Sequence, residues 1–232
     1  MLDWVIHRAQ LASSINAIMV ATTTDQEDDP IADWCIQNGI TFYRGSALDV
    51  LDRFYQAAVS VDADVIVRLT ADCPLIDPAV IDEVVGAFLE RHADFAANRL
   101  PPPFHRTFPI GLDVEVVTFT ALERAWQDAK EQFEREHVLP YLYKDAGKFN
   151  VFVLDAKEDY GALRWTVDTP QDLAFIRALT AAMECARDAS WLTVLDFLQD
   201  HPEITAINSG VAHKSFTDID HRALSGGEDN NG

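Results

Sequence analysis

Apolar and polar positions along the chain alternate between a helical and a strand rhythm. Leu2, Val5, Ile6, Ala9 and Ala12 fall on one helical face, so the chain opens on an amphipathic helix. Ala17–Thr22 reads as a strand. Asp29-Pro30 opens a helix through Gln37, and Asn38-Gly39 closes it. Ile40–Tyr43 is a strand ending at Arg44-Gly45. Ser46 with Asp49 three residues on resembles a capping box, with Asp for the usual Glu, and predicts a helix over Ala47–Val59. Val65, Ile66 and Val67 form a short β-branched run between turns. That pattern predicts a central strand buried on both faces, as in a parallel sheet. Asp77 and Pro78 then read as N-cap and first helical position of a helix over Pro78–Arg91.

The rhythm continues with a short strand at Asp94–Ala97 and breaks at Leu100–Pro109 (LPPPFHRTFP). This rigid, aromatic, weakly basic stretch fits neither helix nor central strand, and reads as a lid or a plain connector. Gly111–Val117 alternates, so Leu112, Val114 and Val116 face one way and Asp113 and Glu115 the other. Helix is expected at Thr120–Lys130. Phe133–Tyr143 carries Glu134, Arg135, Glu136 and His137 in a row, a run that usually marks surface. Phe149–Leu154 and Leu163–Val167 read as strands. Thr169 caps the next helix, Pro170 takes its first position and Asp172 supports its N-terminal dipole; it runs to about Ala186. Trp191–Leu198 is a further helix. Residues 1–210 read as one domain and 211–232 as a tail, disordered from about Ser225.

Composition narrows the class. The 232 residues are 48% hydrophobic and 24% charged, an ordinary balance for a folded domain. The formal net charge of -20 argues against a nucleic-acid groove, which needs clustered Lys and Arg. A small anionic substrate needs only a few local cations, such as Arg44, Arg68, Arg106 and Arg164. Cys35, Cys73 and Cys185 offer neither a metal spacing nor a disulfide framework, which predicts a reducing cytoplasm. No apolar run is long enough to span a bilayer, so no membrane partner is expected.

The candidate chemistry sits at strand ends. Arg68, Thr70 and Asp72 follow the strand at Val65, and Asp168 follows the one at Leu163. In open α/β sheets the carboxyl edge is where ligands bind. A carboxylate at Asp72 binds a cation, caps a turn or pairs with a base. If both strands are parallel and close in the sheet, Asp72 and Asp168 share one edge and repel unless a cation lies between them. Hard oxygen ligands with room for water and phosphate suit Mg²⁺. The sequence lacks HExxH, an EF-hand loop, GxGxxG, a P-loop and GxSxG. Asp62-Ala63-Asp64 has the spacing of a glycosyltransferase metal motif but lies at the start of its strand.

Five stretches together resemble one family: RGSALDVLDRF at 44–54, RLTADCPLIDP at 68–78, FPIGLDVEVVTFTALERAW at 108–126, EREHVLPYLY at 134–143 and LRWTVDTPQDL at 163–173. The family is the CMP-sugar (acylneuraminate-type) cytidylyltransferases, in the spore-coat polysaccharide biosynthesis protein F branch. The resemblance implies a three-layer α/β/α nucleotide-diphospho-sugar transferase-like fold with a mostly parallel sheet. It implies transfer of CMP from CTP to a sugar acid, release of pyrophosphate, and Mg²⁺ held by Asp72 and Asp168. Nucleotide contacts are then expected from Arg44, Gly45, Arg68, Thr70 and Ala71, with Ala71 where the family usually has Gly. Sugar contacts are expected from Asp113, Glu115, His137 and Arg164, and a homodimer is among the expected partners. Family members begin with a strand and a basic, Gly-containing loop ahead of the helix that starts here at Leu2. Without them, the helix from Leu2 is expected to be poorly anchored, with an unfilled slot beside Ala17–Thr22. The rival readings are a non-catalytic nucleotide- or sugar-binding homologue and a glycosyltransferase of related fold.

Overall fold

The structure is a computed structural model that describes residues 1–100 and 106–212. In chain order the elements are α1 (Leu2–Gln10), β1 (Met19–Thr23), α2 (Asp29–Asn38), β2 (Thr41–Gly45), α3 (Val50–Ser60), β3 (Val65–Arg68), α4 (Pro78–Glu90), β4 (Phe95–Ala97) and β5 (Glu115–Thr118). There follow α5 (Phe119–Asp128), α6 (Gln132–His137), α7 (Pro140–Tyr143), β6 (Val151–Val153), α8 (Pro170–Ala182), α9 (Trp191–Asp200) and α10 (Pro202–Thr205). The chain divides into two compact units. One comprises Met1–Ile18, Val65–Thr118 and Asn150–Ala212; the other includes Met19–Asp64 and Phe119–Phe149. Among the described residues no helix is long and apolar enough to cross a membrane.

In the first unit the strand order is β3-β5-β4-β6. β3 and β4 each run antiparallel to β5, and β4 runs parallel to β6. β3, β4 and β6 therefore share one direction and β5 alone is reversed. α4 packs on β4 and β5. Ile81, Val84, Leu112, Val116, Trp165, Phe175 and Leu179 fill the core between strands and helices, each no more than 1% exposed. Asp77 caps α4, its side chain accepting from the Ala79 N–H at 2.8 Å.

Several expectations change here. β3 is not buried on both faces: among the described residues it pairs with β5 alone, and Val65 is 39% exposed. A β-branched run reports strand propensity but not its neighbours. The strands paired on both sides are β5 and β4, and in β5 Val116, Val117 and even Glu115 are buried. Leu163–Val167 is extended without joining the sheet as a strand; it makes one isolated bridge, Ile110 to Arg164. Its backbone groups are divided between two loops. Trp165 N–H donates to the Ile110 carbonyl at 2.7 Å, and Val167 N–H to the Asp72 carbonyl at 2.9 Å.

The N-terminal helix is well anchored, against expectation. Arg8, 1% exposed, donates to the carbonyls of Ile76, Arg187 and Ala189. Asp82 accepts from the hydroxyls and N–H groups of Ser13 and Ser14 at 2.6–3.0 Å. The apolar face read from sequence does bury Val5, Ile6, Ala9 and Ala12, but a buried guanidinium supplies the tether.

In the second unit β1 and β2 form a parallel pair, and β1 has no other strand partner among the described residues. Gly39 ends α2 in the left-handed region at φ 67°, as Asn38-Gly39 predicts. α3 starts at Val50, later than expected. Asp49 is its cap, accepting from Asp52 N–H at 2.9 Å, while Ser46 Oγ accepts from Leu48 and Asp49 N–H groups in the preceding turn. The charged run at 134–137 is not plain surface. Glu134 is 1% exposed, completes a capping box with Glu131 and pairs with Lys144. Arg135 grips Asp49 with two bonds of 2.9 and 2.6 Å. The Pro-rich stretch 101–105 and the tail from 213 lie outside the described residues.

Candidate active site

Asp72 lies in a turn just beyond β3, closed by the Cys73 N–H donating to the Thr70 carbonyl at 3.3 Å. Ala71 at the same turn is exposed, so its methyl group stands at the surface. Behind the turn Cys73 is buried. Its Sγ lies 3.2 Å from Thr70 Oγ1 and donates to Asp72 Oδ1 at 3.4 Å. Burial, reinforced by the charge of Asp72, pushes the Cys73 thiol well above its ordinary pKa. It is therefore a neutral packing group and no nucleophile.

The Asp168 segment docks on this turn. The Val167 N–H to Asp72 carbonyl bond joins the two acid-bearing stretches through their backbones, and Thr166 Oγ1 adds a second bond to that carbonyl at 3.3 Å. Gly111 lets its own loop close on the Trp165–Thr166 backbone. It holds φ 106°, and a Cβ there would stand 2.7 Å from Thr166 N and Trp165 C. Asp168 Oδ2 accepts from Arg164 Nη2 at 2.6 Å. The stretch that carries Asp168 thus joins the Asp72 turn by loop docking, where sequence reading expected two adjacent strands.

Arg68, at the end of β3, donates to Glu115 Oε2 at 2.5 Å. Arg99 lies 3.2 Å from Asp113 and 3.9 Å from Glu115. Arg106 holds Asp113 with two bonds of 2.9 and 3.1 Å. Two acids thus organise three guanidiniums, in a chain with only 18 Lys and Arg in all. Asp113 and Glu115 do act together, as expected, with arginines as their partners. Arg99 was missed by sequence reading. Its signal resembles the one that marks Arg68: a cation at, or here two residues past, the carboxyl end of a strand.

Arg164 is 7% exposed and engaged by Asp168 and Asp172. Asp172 and Asn208, both buried, are further residues that sequence patterns did not bring to this place. Burial alone would raise the pKa of Asp172. Hydrogen bonds from Arg164, Asn208, Thr169 and the Asp168 N–H outweigh it and hold the carboxyl well below the usual range.

The other candidates belong to the second unit. Arg44 donates to the carbonyls of Thr23 at 2.7 Å and Asp25 at 2.9 Å, and pairs with Asp29 at 2.7 Å. Its guanidinium ties β1 to β2. Gly45 leaves room for a packed side chain, since a Cβ there would meet Arg53 Cγ at 3.1 Å. His137 ends α6 just before Val138, which holds φ 75°.

No group of three or more His, Cys, Asp and Glu side chains suited to a metal occurs among the described residues. A pair of carboxylates fits Mg²⁺, which keeps several waters and is completed by substrate phosphates, better than a cation needing an all-protein cage. Asp62 and Asp64 lie at the opposite, leading end of β3, where Asp62 is a turn residue at φ 53°. Nothing there favours the glycosyltransferase reading.

Residues 1–194 match the family model described as cytidylyltransferase. An uncharacterized protein of Methanocaldococcus jannaschii is 36% identical over 221 residues, covering 94% of this chain and 88% of that protein. The spore coat polysaccharide biosynthesis protein SpsF of Bacillus subtilis is 29% identical over 210 residues, covering 88% and 85%. A 3-deoxy-manno-octulosonate cytidylyltransferase of Anaeromyxobacter sp. (strain K) is 28% identical over 214 residues, covering 77% and 86%. A solved cytidylyltransferase structure from Leptospira borgpetersenii superposes with a TM-score of 0.83 at 30% identity, covering 91% of this chain and 87% of that one.

Proposed function

The chain belongs to the cytidylyltransferase family, and from that premise we propose that it carries CMP from CTP to a sugar acid, releasing pyrophosphate, in the making of surface or spore-coat polysaccharide. The names of the Anaeromyxobacter and Bacillus relatives support the sugar-acid acceptor and the polysaccharide role. The observation that carries the reading is the 2.9 Å bond from Val167 N–H to the Asp72 carbonyl, which supports a site served by both carboxylates.

In this reading a hydroxyl oxygen of the sugar attacks the α-phosphorus of CTP. The bond from that phosphorus to the bridging oxygen breaks, pyrophosphate leaves, and the hydroxyl proton passes to solvent. Asp72 and Asp168 would hold Mg²⁺. When bound, that ion supplies positive charge against the α-phosphate and the leaving group. Thr70 and Ala71 offer the turn backbone to the nucleotide. Arg68, Arg99 and Arg106, held by Glu115 and Asp113, supply the local positive charge that a sugar carboxylate or a phosphate requires. The half-buried setting strengthens these contacts over their value in water. Three free cysteines and no disulfide support a reducing compartment, the cytoplasm.

The test is pyrophosphate release with CTP, ATP, GTP or UTP, with and without 3-deoxy-manno-octulosonate, in Mg²⁺. Release is expected with CTP and the sugar acid together, and abolished by EDTA. CTP binding without release from any of the four nucleotides would refute catalysis and leave a binding protein. Release that prefers UTP and ignores the sugar acid would refute the assigned substrates.

A further inference from the structure

Asp168 is the outer end of a buried chain of hydrogen bonds. Arg164 Nη2 reaches both Asp168 Oδ2 at 2.6 Å and Asp172 Oδ2 at 2.9 Å, and Arg164 Nε reaches Asp172 Oδ1 at 2.8 Å. Asp172 is fully buried and also accepts from the N–H groups of Asp168 at 3.1 Å and Thr169 at 3.0 Å. At the inner end, Asn208 Nδ2 donates to Asp172 Oδ1 and to the Arg164 carbonyl, each at 2.9 Å. Asn208 is 4% exposed and lies beyond residue 194, where the family match ends.

We propose that Arg164, locked in place by Asp172 and Asn208, is a positioning residue that fixes the Asp168 carboxylate for a divalent cation. The inference rests on the reading of Asp168 as a metal ligand. It also moves Arg164 from sugar contact to support, since its guanidinium is buried between two carboxylates. An aspartate on a loop has two side-chain torsions to order before it can ligate. A guanidinium already held in two places removes that freedom and leaves the second carboxylate oxygen, Oδ1, for the ion. Groups that orient a ligating carboxylate commonly change metal affinity or activity 10- to 100-fold when replaced. Lysine cannot substitute, because one ammonium lacks the planar fork that grips Asp172 and reaches Asp168 together. Asn208, just past α10, takes part in the site through Asp172 and Arg164.

The test is Mn²⁺ titration followed by electron paramagnetic resonance, without nucleotide, on the protein and on Asp168→Asn, Arg164→Lys, Asn208→Ala and the Arg164→Lys, Asp168→Asn double variant. Arg164→Lys and Asn208→Ala should each weaken Mn²⁺ binding about tenfold. Asp168→Asn should weaken it at least as much, and the double variant should be no weaker than Asp168→Asn alone. If Arg164→Lys does not fold, Asn208→Ala carries the comparison, since it keeps every charge. Unchanged affinity in Arg164→Lys and Asn208→Ala, with a loss in Asp168→Asn, would overturn the positioning role alone. Unchanged affinity in Asp168→Asn would overturn the metal reading and the positioning role with it. Additive losses in the double variant would show that Arg164 does not act through Asp168.

Discussion

Replacing Arg8 by Met should be among the most damaging single changes in the first unit, although Arg8 touches none of the candidate site residues. Its guanidinium is 1% exposed and donates to the carbonyls of Ile76, Arg187 at 2.6 Å and Ala189 at 2.9 Å. Its Nη2 lies 3.6 Å from Asp77, the cap of α4. Burial pulls the Arg8 pKa below its ordinary value, with Asp77 and Asp188 opposing that shift. Methionine nearly fills the same length of side chain, so the cavity contribution is small. What is lost is polar: the buried carbonyls of Ile76 and Ala189 and the half-buried one of Arg187 lose a donor, and the buried Asp77 carboxylate, which keeps its bonds from the Ala79 and Trp191 N–H groups, loses its cationic neighbour. Removing one partner of a buried ion pair costs about 3–5 kcal/mol, and a stranded carbonyl about 1–3 kcal/mol. Water entering from the exposed Arg187 side offsets part of this, so we place the loss at about 3–5 kcal/mol. At about 2–4 °C per kcal/mol for a chain of this size, the melting temperature should fall by roughly 6–20 °C. Urea unfolding followed by circular dichroism measures the change. A loss below about 1 kcal/mol would refute the view that this guanidinium anchors α1.

Gly111→Ala should lower both stability and pyrophosphate release, because a Cβ would press on the Trp165–Thr166 backbone at 2.7 Å; thermal melts and turnover measured on the same preparation check this. Asp172 has a folded-state pKa held below its unfolded value of about 4. Its stabilisation should be complete above about pH 4 and lost as pH falls through the folded value. Asp172→Asn should therefore be less stable at neutral pH and show a flatter acid limb in a pH series of urea melts. Arg135→Ala breaks the bonds to Asp49, but the Asp49 side chain is 35% exposed, so about 1 kcal/mol is expected by denaturant titration.

Local chemistry was the most legible part of this sequence. Asp77-Pro78 and Thr169-Pro170 open α4 and α8, because capping depends on a few neighbouring residues. Sheet placement was harder to read. Val65–Val67 has the composition of an interior strand, yet β5 and β4 take the interior places, and in β5 Arg68 and Arg99 neutralise the buried Glu115. Leu163–Val167 has strand composition, but partners far away in sequence, Ile110 and Asp72, take its backbone bonds. The two acids could be named from their strand-like settings, while the loop docking that unites them could not. Arg164 could be picked out as a cation on a strand-like stretch, but nothing local reveals that Asn208, 44 residues on, donates to its carbonyl and closes the network around it.

The central claim is that Asp72 and Asp168 act together as the charged ligands of a metal-dependent cytidylyl transfer. It is tested most directly by pyrophosphate release from CTP and a sugar acid, with Mg²⁺ varied, in the protein and in Asp72→Asn and Asp168→Asn. Each replacement keeps the shape of the side chain and removes one charge. Turnover should fall about 100-fold or more in each, the scale of losing one group that stabilises transition-state charge. Circular dichroism melts should stay close to those of the unsubstituted protein. Full turnover in either variant, with unchanged dependence on Mg²⁺, would contradict the claim.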